Sequence, residues 1–158
     1  MLGKTYDSQV CSIARSLELV GERWSLLIIR DALFAGVTRF GDFQHNLGIA
    51  TNVLASRLDA FVASGVMTRD DDAQYLLTEK GRALAVALIA LTEWGDEWAS
   101  PIEPPILYRH TACGDGAVHA RTVCDECGPV PPAEVAVRIG PGMPAEYLAA
   151  RRGGTRAG

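Results

Sequence analysis

Apolar residues recur at helical intervals along most of the N-terminal part of the chain. Val10, Ile13, Ala14 and Leu17 mark one face of a first helix. A second, from about Trp24 to Leu33, is apolar throughout Leu26–Ile29 and calls for burial; Trp24 itself suits the core or a pocket wall. Phe40, Phe43 and Leu47 make a short third segment that turns at Gly48. Leu54, Leu58, Phe61 and Val62 then stand at i, i+4, i+7 and i+8, and Gly65 stops that helix. Val66–Arg69 and Gln74–Leu77 read as short strands around the turn Asp70-Asp71-Asp72-Ala73. Thr78 suits a helix cap and Glu79 the positive first turn, ahead of a long helix from Arg82 to about Trp98. Its stretch Ala83–Leu91 is apolar on nearly every side. A second copy of the chain, or the chain's own C-terminal segment, would have to cover it.

Helix, tight turn, helix and β-hairpin outline a winged helix-turn-helix. The expected fold is therefore mainly α with a small β-wing, followed by a loop- and β-rich C-terminal extension. Such a unit places its second helix in a major groove. With Leu54 and Leu58 inward, Asn52, Ser56 and Asp59 point outward beside Ala55 and Ala63, a small polar face able to approach base edges. Asn pairs bidentately with adenine and Ser serves either base type. Thr51 is a candidate N-cap, and the helix N-terminus offers amides to an anion. Asn52 and Ser56 are the candidate base readers. Arg39, Thr51, Arg57 and Arg69 are candidates for positioning the phosphate backbone. An ordinary helical hairpin with a solvated polar face has the same periodicity, so periodicity alone leaves both readings open.

Several short motifs bear on that choice. Cys11-Ser12-Ile13-Ala14-Arg15 is followed by Gly21-Glu22-Arg23-Trp24-Ser25-Leu26-Leu27-Ile28-Ile29-Arg30. Then come Arg39-Phe40-Gly41-Asp42-Phe43, Leu54-Ala55-Ser56-Arg57-Leu58, Leu77-Thr78-Glu79-Lys80-Gly81 and Glu93-Trp94-Gly95. In this order and at this spacing, over roughly residues 8 to 98, they resemble the HxlR-type winged-helix transcription regulators. The resemblance implies a homodimer joined through the first and last helices, reading a pseudo-palindrome in double-stranded DNA. It also implies a role for Cys11, since in several such regulators a cysteine at the matching position senses electrophiles or oxidants. Cys11 stands at the start of a helix with Arg15 one turn on, a setting that lowers a thiol's pKa. A small buried hydrophobe is the plainer alternative.

The 158 residues suit one domain with an extension. Expected boundaries are 8–100 for DNA binding and dimerisation, 101–150 for the extension and 151–158 for a disordered tail carrying Arg151, Arg152 and Arg156. A content of 48% apolar and 22% charged residues is that of a soluble globular protein. No apolar run is long enough to span a bilayer and no secretory signal is evident, so a cytoplasmic location without membrane contact is expected. The net charge of −4 weighs against strong phosphate binding. Within Thr38–Asp70, Arg39, Arg57 and Arg69 are balanced by Asp42, Asp59 and Asp70. A dimer would double the contacts.

Composition breaks at Pro101, at or beyond which all eight prolines fall. Glu134–Ile139 alternates and predicts one strand. The pairs His110-x2-Cys113-Gly114 and Cys124-x2-Cys127-Gly128 each have the form of a zinc knuckle, two ligands on a tight turn closed by glycine. One structural zinc per chain on His110, Cys113, Cys124 and Cys127 is therefore a candidate, with His119 as a substitute ligand. A metal-free CxxC and a thiol–disulfide switch at Cys124/Cys127 stay open. His45 reads as solvated. No nucleophile motif, phosphate loop or open metal set appears, so neither an enzyme nor an organic cofactor is expected. The expected function is a DNA-binding regulator, a homodimeric repressor relieved by a small-molecule or oxidant signal. A redox- or ligand-sensing module acting through protein contacts of its extension is the alternative.

Overall fold

The computed structural model describes residues 5, 6 and 9–150. The expected basic tail at 151–158 lies outside them. Helices α1 (Ser12–Val20), α2 (Ser25–Phe34), α3 (Phe40–Leu47) and α4 (Thr51–Ala63) precede an antiparallel hairpin of β1 (Met67–Arg69) and β2 (Tyr75–Leu77). Its register pairs Met67 with Leu77 and Arg69 with Tyr75. A single turn, α5 (Glu79–Arg82), leads into α6 (Ala85–Trp98). Two small hairpins follow, β3 (Arg109–His110) with β4 (Gly116–Ala117) and β5 (Val123–Cys124) with β6 (Gly128–Pro129), and then α7 (Ala145–Ala150). No described helix is long and apolar enough to cross a membrane.

The chain divides into two compact units. One runs from Leu19 to Ala120, so the first extension hairpin belongs with the helices, beyond the sequence-based boundary at residue 100. The other combines the residues up to Glu18 with those from Arg121. In the helical unit, Ile28 and Ile29 from α2, Phe43 from α3, Leu54, Leu58 and Phe61 from α4, and Val66 and Met67 at the wing form one buried core. Of the stripes read from the sequence, Ile28 and Ile29, Phe43, and Leu54, Leu58 and Phe61 bury; Leu26, Phe40 and Leu47 pack half-buried against this core, and Val62 is exposed. Trp24 is half-buried, packed against this core while lining a surface cleft.

The predicted helix from Arg82 to Trp98 is instead interrupted at Ala83–Leu84. Thr78 does cap, accepting a hydrogen bond from Gly81 N at 3.2 Å, but the helix it caps is the one-turn α5. That turn is pinned to its neighbours: Lys80 Nζ donates to Ser64 O at 2.7 Å and Thr78 Oγ1 to Gly65 O at 2.7 Å. Gly81 is buried so tightly that a Cβ there would lie 2.3 Å from Val66 O. Beyond it, Leu84 packs against the core and Leu88 is buried in it. Of α6 only Leu88 is buried, so the all-round apolar stretch is not covered within this unit.

The second unit is irregular. Ile13 and Leu17 on α1 are exposed, leaving most of that helix's apolar stripe at the surface; Ala14 alone of it is buried. The predicted strand at Glu134–Ile139 is absent: a short 3-10 turn, Pro132–Glu134, is followed by irregular backbone with Val137 86% exposed. The alternating pattern finds no neighbouring strand to pair with.

Candidate nucleic-acid interface

Gly48 makes the turn of the helix-turn-helix. It ends α3 in the left-handed region at φ +61°, which L side chains rarely adopt, and donates its amide to Gln44 O. α4 begins three residues later, with Ala50 in the capping position and no side chain capping it. Thr51 is thus the first helical residue rather than the N-cap. Its Oγ1 accepts from Gln44 Nε2 at 2.7 Å, which ties α4 to α3 across the turn.

The inward stripe of α4 leaves Thr51, Asn52, Ser56 and Asp59 exposed. Asn52, Ser56 and Arg57 face Glu22, Arg23 and Trp24 across a cleft of about 280 Å³. Arg57 is turned partly inward: Nη1 stands 3.9 Å from Glu22 Oε1 and Nη2 donates weakly to Ser56 Oγ at 3.5 Å. So long and exposed an ion pair is worth little and yields readily to a phosphate. Arg23, which helical periodicity does not single out, also lines this cleft. Its guanidinium lies 5.5 Å from the Trp24 ring centroid, which holds an exposed cation beside the base-reading candidates. The Glu22-Arg23-Trp24 run was the available signal.

Arg39 and Arg69 do not line that cleft. Arg39 is exposed at the N-cap of α3, and Arg69 stacks over Tyr75 at 5.4 Å on the wing. The wing turn is wound tightly, with Ala73 at φ 59° and Asp70 Oδ1 accepting from Gln74 N at 2.8 Å. Its three exposed aspartates repel phosphate, so Arg69 at the wing's base is the cation available there. His45 is exposed in the last turn of α3.

In the second unit Cys11 is exposed immediately before α1 and its carbonyl accepts from Arg15 N at 3.1 Å. Together with Arg15 and Met143 it borders an open cleft of about 640 Å³.

The structure joins the cysteine and histidine candidates as two pairs. In the helical unit His110 Nδ1 lies 3.1 Å from Cys113 Sγ, and Gly114 closes the turn at φ +84°. In the other unit the Cys124–Cys127 turn is closed by Gly128 at φ +83°. The backbone amides of Glu126 and Cys127 and the Cys127 thiol donate to Cys124, which holds its thiol below the ordinary cysteine range. Among the described residues no three His, Cys, Asp or Glu side chains form a metal-holding group. The four-ligand zinc set therefore rests on sequence spacing.

A helix-turn-helix with a wing and an exposed, small, polar second helix defines a winged helix-turn-helix DNA-binding protein. The model of the HxlR-like helix-turn-helix family matches residues 19–103. Rv3095 of Mycobacterium tuberculosis (strain ATCC 25618 / H37Rv), an uncharacterised HTH-type transcriptional regulator, is 44% identical over 143 residues, covering 85% of this chain and 89% of its own. Among solved structures, PA1607, a candidate transcription factor, aligns with a TM-score of 0.72 at 36% identity over 82% of this chain and 94% of that one. Quinone-bound YodB from Bacillus subtilis aligns with a TM-score of 0.51 at 30% identity over 57% of this chain and all of its own. The chain belongs to the HxlR-like helix-turn-helix family; it is an HTH-type transcriptional regulator and not an enzyme.

Proposed function

We propose that this regulator is a homodimeric repressor that occupies a pseudo-palindromic operator, with α4 of each protomer in a major groove. The observation that carries the reading is the outward face of α4: Asn52 and Ser56 are exposed, small and hydrogen-bonding, at the N-terminal end where a recognition helix reads bases. The dimer is supported by apolar side chains left uncovered, Ile13 on α1 at 70% exposure and Trp94 and Trp98 on α6 at 58% and 69%. A two-fold axis would set the recognition helices about 34 Å apart, one turn of DNA. A signal that changes this spacing would release the operator.

Fluorescence anisotropy against the protein's own upstream DNA, beside a scrambled duplex at two salt concentrations, tests the reading. Arg23, Arg39, Arg57 and Arg69 from each protomer predict a log–log salt slope of about −7. Binding no tighter to native than to scrambled DNA refutes operator recognition. Asn52→Ala should relax sequence preference by roughly 1–3 kcal/mol per half-site while non-specific binding holds. Equal loss on all sequences would remove its base-reading role.

A second reading has its own support. YodB was solved with a quinone bound, and Cys11 is exposed at the start of α1. In this reading an electrophile or oxidant is the signal and Cys11 its target, with output through DNA or through a protein contact of the extension. Mild diamide treatment followed by mass spectrometry separates the cysteines. Cys11 left unmodified beside modified Cys124 and Cys127 would exclude it as the sensor.

A further inference from the structure

An open pocket of about 380 Å³, within the size range of small-molecule sites, lies between α6 and the β3–β4 hairpin of the helical unit. Its apolar wall includes Ile106, Tyr108 and Val118. Tyr108 is fixed in place: its ring packs on Phe34 at 4.8 Å between centroids, and its hydroxyl shares a hydrogen bond with Thr92 Oγ1 at 3.1 Å. On the opposite side α6 supplies three carboxylates, Glu93, Asp96 and Glu97, against one guanidinium, Arg109. Glu93 is engaged by His119 and by Ala120 N. Asp96 and Glu97 have no hydrogen bond or ion pair with any described residue.

We infer that this pocket binds a small amphipathic organic cation, an aromatic or aliphatic body carrying an ammonium or similar group. Apolar contact with Ile106, Tyr108 and Val118 would supply the affinity. The unengaged Asp96 and Glu97 select positive charge, since an anion would face excess carboxylate and a neutral body would gain nothing from them. The pocket is distinct from the dimer surface proposed above. At 3.6 residues per turn, Asp96 lies on the opposite side of α6 from Trp94 and Trp98, and Glu97 on the flank between the two faces. One helix thus carries both the ligand and the exposed apolar stripe, so a ligand that shifts α6 would alter dimer geometry. That last consequence rests on the repressor reading; the binding site does not.

The test is direct and free of DNA. The cationic dye 4-(4-dimethylaminostyryl)-N-methylpyridinium, which brightens when immobilised, is titrated against the full chain beside anionic 8-anilinonaphthalene-1-sulfonate. Saturable binding of the cation is expected, weakened about tenfold or more by Asp96→Asn with Glu97→Gln, and abolished by a filling Ile106→Trp. The anionic dye should not follow the carboxylate variant. Cation binding equal in wild type and the double variant, or no saturable binding, overturns the proposal. So does binding that disappears as protein concentration rises, which would mean that a second copy covers the pocket. Operator anisotropy with and without the dye then reports separately on the regulatory consequence.

Discussion

Phe43, Leu54, Leu58 and Phe61 in the helix-turn-helix are at most 1% exposed, whereas no described residue beyond Leu88 is buried. The first region is held by close packing of large apolar side chains from α2, α3, α4 and the wing. The hairpins of the extension are held by two ladder pairs each, by left-handed glycines and by hydrogen bonds to sulfur and imidazole. Two-stranded hairpins of that size are marginal in water without something further to bind them. The contrast teaches where cohesion is concentrated: the helix-turn-helix stands on its own core, whereas the extension buries no described side chain.

The comparison breaks most easily at the core. Phe61→Ala should destabilise by about 3–5 kcal/mol in urea unfolding, while Leu107→Ala in the extension changes stability by less than about 1 kcal/mol. Equal losses would mean that the extension packs as the core does. Gly81→Ala comes next, because its Cβ would collide with Val66 O and the Leu77 side chain, and backbone cannot yield as a side-chain end can. A loss of roughly 1–3 kcal/mol is expected, with the wing hairpin loosened in amide exchange.

On the extension side, elemental analysis of protein purified without chelator is expected to give about one zinc per chain, lost in Cys127→Ser. Removing it should raise exchange in the extension and leave the helix-turn-helix protected; metal-free protein would reject zinc as the missing cohesion. The smallest effect concerns Cys124. Amides donating to its sulfur favour the thiolate, so metal-free protein should be alkylated by iodoacetamide at Cys124 at a lower pH than at an unfolded-peptide thiol. Coincident profiles would show that those hydrogen bonds do not persist in solution.

Much of this is legible in the sequence, for a local reason. The i, i+3, i+4 stripes of α2, α3 and α4 and the Gly48 and Gly65 stops are properties of neighbouring residues, and the motif order around them already resembled the family. The turns at His110–Gly114 and Cys124–Gly128 were legible because each sets a glycine directly after a cysteine. The sequence also determined that Asn52 and Ser56 oppose Leu54 and Leu58, since helical geometry alone puts them there.

Other outcomes were decided by residues far apart in the chain. Thr51 gives its oxygen to Gln44 instead of capping, Arg57 leans toward Glu22, and Arg23 reaches the cleft beside Asn52. The long helix is interrupted at Ala83–Leu84, just after Gly81 seats against Val66, and among the described residues no strand pairs with Glu134–Ile139. Tyr108, one wall of the pocket beside α6, packs on Phe34 across more than seventy positions of sequence. Periodicity records which side of an element is apolar; only the packed chain determines what that side meets.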